Sequence, residues 1–197
     1  MDVTRFSHQD PWIRRIAVSM APPALKDNTA DVDRLIKGIG KELGGGEVKV
    51  DLPLSRKIPS FLRDQGYQAQ TILYMGVSNW HLVDLVSPAA ANEVCGLAVD
   101  LGTSVIAIRL LDLVTGDVKG ETSFLNPQIQ AGPDILTRIH FAGREGGLQE
   151  LQTLLMDRLN KEIHRLAQSR GISIQRIVGA SVAGNTTMTH LFLGLDP

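Results

Sequence analysis

Five consecutive residues, Asp100-Leu101-Gly102-Thr103-Ser104, bring together a carboxylate, a glycine and two hydroxyls. At a tight turn, glycine lets the backbone bend and approach a ligand closely. Successive amides in such a turn form a concave site for anions. The Thr103 and Ser104 hydroxyls add donors for phosphate oxygens, and Asp100 can hold a magnesium ion, usually through water. Taken alone, these are also the residues of an ordinary hairpin turn. A second constellation is Val182-Ala183-Gly184-Asn185-Thr186-Thr187-Met188, an apolar run ending in glycine before polar residues. Ligands of α/β sheets bind where strands end and helices begin, so Gly184, Asn185 and Thr186 are candidates for contact. Asn185 or Thr186 equally suits a helix N-cap, and one residue can serve both ends. A third group, Asn126-Pro127-Gln128, either orders a loop beside the site or simply turns the chain.

Other chemistries find little support. The one cysteine, Cys95, sits in the apolar run Val94-Cys95-Gly96-Leu97-Ala98-Val99, where it reads as a small core residue. A single thiol builds no disulfide framework, zinc site or iron–sulfur site within the chain. The five histidines, His8, His81, His140, His164 and His190, lack the spacing of a helical zinc motif. Residues 143–147 are glycine-rich but lack the lysine and following hydroxyl of a Walker loop.

The elements that must position these groups follow from pattern. Residues 96–100, 104–113 and 118–124 read as three strands, with a hairpin turn at Thr115-Gly116-Asp117. Gly132-Pro133-Asp134 starts a helix through Ile135, Leu136 and Ile139, with proline in the first turn. Residues 148–168 carry the clearest helical stripe: Leu148, Leu151, Leu154, Leu155, Leu159, Ile163 and Leu166. A fourth strand over 176–182 then leads into a helix over 187–193. Three antiparallel strands, a helical crossover and a fourth strand are the opening order of an RNase H-like α/β unit.

Upstream, 12–20 reads as a strand. A helix follows, with Val32, Leu35, Ile36 and Ile39 on one face, N-capped within Asp27-Asn28-Thr29 and stopped by Gly44-Gly45-Gly46. Residues 47–54 alternate as a strand, Pro59 opens a short helix, and 69–75 pairs with 81–86. The small-residue stretch 87–92 is the candidate boundary. The expected organisation is a disordered 1–10, a small α+β linker/middle domain over 11–90, and the RNase H-like α/β unit over 91–197.

Formal net charge is −1, with 20 basic and 21 acidic side chains spread along 197 residues. That distribution excludes the basic footprint of a nucleic-acid binder. With no apolar run of membrane-spanning length and no secretory leader pattern, the expectation is a cytoplasmic protein with neither nucleic acid nor membrane as partner.

In order along the chain, residues 96–104, 111–116, 126–128, 132–139, 183–188 and 193–197 together resemble the reductive activators of corrinoid enzymes, members of the acetate and sugar kinase, heat-shock chaperone and actin superfamily. Residues 22–28 with 33–35 resemble the linker of those proteins, and residues 54–86 their middle domain. The resemblance implies that 91–197 is the first half of an actin-like ATPase domain. It implies ATP and Mg2+ as ligands. Asp100, as catalytic and magnesium-holding residue, Gly102, Thr103 and Ser104 match the first phosphate motif; Gly184, Asn185 and Thr186 match the segment facing the nucleotide cleft. It further implies a 2Fe-2S cluster in an N-terminal domain outside this chain, and a corrinoid protein or corrinoid-dependent methyltransferase as partner. Departures are the absent ferredoxin cysteines, the absent second phosphate motif and adenosine-binding glycines, Ser104-Val105 where hydroxyl residues are commoner, and Pro133 where a small residue is usual. The chain therefore reads as a segment of a longer protein, one that by itself is inactive and self-associates as a homodimer or larger. Alternatives are a fragment of a small-molecule kinase of the same superfamily and a non-catalytic partner-docking module.

Overall fold

A computed structural model describes residues 12–89 and 93–197. Expectations for residues 1–10, and for 90–92 of the connector, lie outside the described residues. The chain divides into two compact units, one ending at Asn92 and one running Glu93–Pro197. Each holds a four-stranded mixed sheet with helices, the mixed α/β class that the sequence pattern predicts.

In the first unit, β1 (Ile13–Ser19), β2 (Val48–Val50), β3 (Gln68–Met75) and β4 (Trp80–Val86) form a sheet in the order β1-β3-β4-β2. Only β2 pairs parallel, to β4. Helices α1 (Asp31–Leu43), α2 (Leu52–Ser55) and α3 (Ile58–Asp64) complete the unit. Leu35 and Ile39 of α1 and Ile58 and Leu62 of α3 are buried in one cluster with Val18, Leu73 and Leu82 of the sheet. Two expectations are corrected here. The N-cap of α1 is Ala30, without a side-chain bond, and not a residue of 27–29. Asp27 instead pairs with Arg34 at 2.7 Å and accepts from the Thr29 amide; those bonds hold its carboxyl well below the usual range. The expected strand over 47–54 shortens to three residues, because Pro53, with its fixed φ and no N–H, fits the first turn of α2.

In the second unit, β5 (Cys95–Leu101), β6 (Val105–Asp112) and β7 (Val118–Leu125) run antiparallel in succession, and β8 (Ile177–Gly184) returns parallel to β5. The sheet order is β7-β6-β5-β8. A 3-10 turn (Pro127–Gln130), α4 (Ile135–Ala142) and α5 (Gly147–Ser169) make the crossover, and α6 (Thr186–Leu193) follows β8. Ile106, Ile108 and Leu110 alternate inward along β6 and meet Leu151, Leu155 and Leu159 of α5. Cys95 is buried in this cluster, and burial raises its thiol pKa.

Residues 133–139 correct the reading of α4. Pro133 lies before the helix, and Asp134 is the cap, accepting from the Thr137 amide at 2.9 Å. Leu136 is 78% exposed, while Arg138 is fully buried. The helix starts two residues later than expected, and its inner face carries Ile135, Arg138 and Ala142.

Leu155 is fully buried between α5 and the sheet. Leu155→Ala should lower stability by about 2–5 kcal/mol through lost burial and a residual cavity, measured by urea denaturation followed by circular dichroism.

Candidate functional site

The turn joining β5 and β6 consists of Gly102, Thr103 and Ser104, and three carbonyls are held from beneath it. The Asn126 side chain donates from Nδ2 to the Gly102 carbonyl at 3.0 Å. Arg138 donates from Nη2 to the Thr103 carbonyl at 2.7 Å. The Asn126 amide donates to the Ser104 carbonyl at 2.9 Å. In a trans peptide the C=O and the following N–H point opposite ways. The carbonyls of Gly102 and Thr103 face inward, so the amides of Thr103 and Ser104 face out, as an anion-binding turn requires.

Gly102 is needed for a different reason from the one its sequence suggests. A Cβ there would stand 2.0 Å from the Val105 carbonyl oxygen. The close approach is to the turn's own backbone, so any side chain would force the turn open.

The turn and the start of α6 meet. Asn185 caps α6, its Oδ1 accepting from the Met188 amide at 2.9 Å. That bond fixes the amide orientation and leaves Nδ2 to donate to Thr103 Oγ1 at 3.2 Å. With a lone pair of Oγ1 taken, the Thr103 hydroxyl proton is directed elsewhere. Cap and contact are thus one residue using two ends of one amide. Gly184 lies against Leu101, where a Cβ would come within 3.0 Å of the Leu101 Cβ. Thr186 opens α6 and is exposed, and Ser104 is exposed on the turn.

Asp100 sits one residue before the end of β5, beside Ala107 of β6 and Ala183 of β8. It is exposed on the face opposite Val99 and Leu101. Its flanking strands present only methyl groups at that register, so nothing bulky screens the carboxylate. Among the described residues no three His, Cys, Asp or Glu side chains gather as a metal site. A cation at Asp100 would take its other ligands from water and an anion, as magnesium ordinarily does. Open depressions lie beside Ala167–Ile174 at the end of α5 and beside Tyr74 and His81 in the first unit. With Ser104, Asn185 and Thr186 exposed, the turn is an open cradle.

Sequence reasoning passed over Arg138. It lies under the turn with Nε on the Gly132 carbonyl at 2.8 Å and Nη1 on the Met188 sulfur at 3.3 Å. Burial pushes its pKa down, partly offset by Asp134. Gln128, also fully buried, donates to the Leu151 carbonyl at 3.0 Å. Asn126 was readable as either loop-former or turn residue, and it is the cap of the 3-10 turn as well as a support of the cradle. The available signal for Arg138 was its place on the face that Ile135 and Ala142 share.

Comparison with known proteins accounts for both units. The model for the RACo middle region matches residues 95–197, and that for the RACo linker region matches residues 4–89. The chain belongs to the RACo family. The label of middle region thus falls on 95–197, and residues 54–86, expected to be the middle domain, lie within the RACo linker region. Among relatives, the corrinoid activation enzyme RamQ of Eubacterium limosum is 32% identical over 136 residues, 68% of this chain and 22% of RamQ. A solved structure described as a reductive activator for corrinoid, iron-sulfur protein aligns with a TM-score of 0.85 and 29% identity, over 100% of this chain and 31% of that one. The chain spans less than a third of the length of these RACo relatives.

Two outcomes test the geometry. Gly102→Ala should destabilise the second unit by roughly 1–3 kcal/mol, the ordinary cost of overpacking, read as a lower urea midpoint. The Thr137 amide and hydroxyl hold the Asp134 carboxyl below its ordinary 3.8. A depressed carboxylate stabilises above its unfolded pKa and loses that contribution as pH falls through the folded value. The wild-type unfolding midpoint should therefore drop more than that of Asp134→Asn on acidification from about pH 5 to about pH 3.

Proposed function

We propose that the second unit is the RNase H-like first half of an actin-like ATPase domain, and that it holds the phosphates of ATP in a reductive activator of a corrinoid protein or corrinoid-dependent methyltransferase. The observation that carries this is the Asn185 Nδ2 to Thr103 Oγ1 hydrogen bond of 3.2 Å. It joins two segments, each suited to anions, into one cradle at the C-terminal ends of adjacent parallel strands. Thr103 and Ser104 would supply amides and hydroxyls to phosphate oxygens, and the start of α6 adds its positive end. Asp100 would hold Mg2+ through water, beside the phosphates. The ion would lower the charge repulsion between the Asp100 carboxylate and the polyphosphate.

The openness of the cradle favours a two-sided site. One turn and one helix end supply a few kcal/mol of phosphate interaction at most, short of the roughly 8 kcal/mol of micromolar affinity. The rest of the pocket, including the adenosine contacts, would come from residues beyond this chain. The reducing 2Fe-2S cluster would also lie there, since its usual four thiolate ligands exceed the single Cys95, itself buried in a β-strand. ATP turnover would then drive electron transfer to an oxidised corrinoid. Self-association as a homodimer and a cytoplasmic setting belong to the same reading. Among the described residues no helix is long and apolar enough to cross a membrane.

Asn185→Asp separates cap from contact. Aspartate caps a helix as well as asparagine, so the unfolding midpoint should hold. It cannot donate to Thr103, and it adds negative charge at the cradle. The intact protein carrying this change should bind Mg-ATP at least about tenfold more weakly by calorimetry, through the lost contact and the repulsion between the new carboxylate and the phosphates. Unchanged affinity would remove the reading.

A further inference from the structure

We infer that Arg138 is a positioning residue for the phosphate turn, setting the direction of the Ser104 amide without touching the ligand. This rests on the phosphate reading of the turn given above. Arg138 is fully exposed to protein and not at all to water. Taking a guanidinium out of water costs several kcal/mol unless its donors are met. Here they are met by neutral acceptors: Gly132 carbonyl at 2.8 Å, Thr103 carbonyl at 2.7 Å, Gln128 Oε1 at 3.5 Å and Met188 Sδ at 3.3 Å. Asp134, the nearest acid acting on it, is engaged as the cap of α4.

Each acceptor belongs to a different part of the unit. Gly132 precedes α4, Gln128 lies in the 3-10 turn, Thr103 is in the cradle and Met188 is in the first turn of α6. One rigid planar fork therefore fixes the cradle relative to the element that contributes Asn185. A carbonyl bound by a buried cation is held more strongly than one bound by a neutral donor, by roughly a factor of two. The Thr103 peptide is thereby kept from flipping, and its outward face stays the Ser104 amide. Asn126 does the same for the preceding peptide, through Gly102. The cradle is preorganised from below, with two amides aimed before any anion arrives.

Lysine keeps the charge but has a single ammonium on a flexible stem and cannot span the Gly132 and Thr103 carbonyls together. In the intact protein, Arg138→Lys should weaken ATP binding by roughly tenfold or more. Adenosine, which has no phosphate, should bind as it does to the wild type. Calorimetry with both ligands, alongside the unfolding midpoint, reads the ratio. Equal losses for ATP and adenosine would mean a merely structural role and would overturn the inference, as would unchanged ATP affinity. Should Arg138→Lys fail to fold, Asn126→Ser decides, since serine can still cap the 3-10 turn but falls short of the Gly102 carbonyl. The same loss confined to ATP supports carbonyl anchoring; equal or absent losses refute it. A wild-type protein without ATP affinity sinks the phosphate reading and this inference together, whereas wild-type binding with an indifferent Arg138→Lys sinks this inference alone.

Discussion

The second unit is organised around a buried cation with no carboxylate in hydrogen-bond contact among the described residues. The Arg138 guanidinium lies in the interior and is satisfied by two backbone carbonyls, an amide oxygen and a thioether. Hydrogen bonds to a charged group are worth about 1.5–3 kcal/mol each, which offsets the desolvation. Because those acceptors come from four segments, their relative positions are set by one planar group. A neutral salt-bridged pair at that place would have satisfied Arg138 without reaching the turn. It is the use of carbonyls that transmits order from the helical layer to the β5–β6 turn.

The surrounding apolar structure is conventional and gives this clamp a stiff frame. Alternating residues of β6 face α5, and β5 is flanked on both sides by paired strands. On α5, Glu162 is buried and ion-paired with Arg158 at 3.0 Å and Arg165 at 3.2 Å. On the sheet's open face the exposed Arg109–Glu121 pair at 3.4 Å contributes at most about 1 kcal/mol. Stability thus comes from the helix-covered face, and the other face is left to small residues around Asp100.

Much of this was legible in the chain. Strand periodicity found β5, β6, β7 and the stripe of α5, because period-two and period-3.6 patterns report burial directly. The two constellations were found by residue type, and the order of elements placed them at strand ends. What escaped was anything decided by tertiary partners. Arg138 was passed over because its acceptors lie up to 50 positions away. The start of α4 was read with Pro133 in the first turn, whereas Asp134 is the cap and the helix begins at Ile135. Gly102 was singled out for close approach to a ligand, whereas the approach that demands glycine is to Val105. In the first unit, Pro53 overrode the alternating pattern of 47–54, a local covalent constraint outweighing a weak periodicity.

The cradle is assembled from residues 82 positions apart, Thr103 and Asn185. The hairpins β5–β6 and β6–β7 close over short loops, but β8 reaches β5 only after α4 and α5 have been threaded between them. Distant pairings carry the largest loop-closure entropy and form late. A newly made or refolding chain therefore acquires its local β-structure well before it acquires a cradle. If the cradle holds phosphates as proposed, ligand competence in this unit would mark the completion of folding, and a partly folded molecule would have strands and helices without the joined turn and helix end.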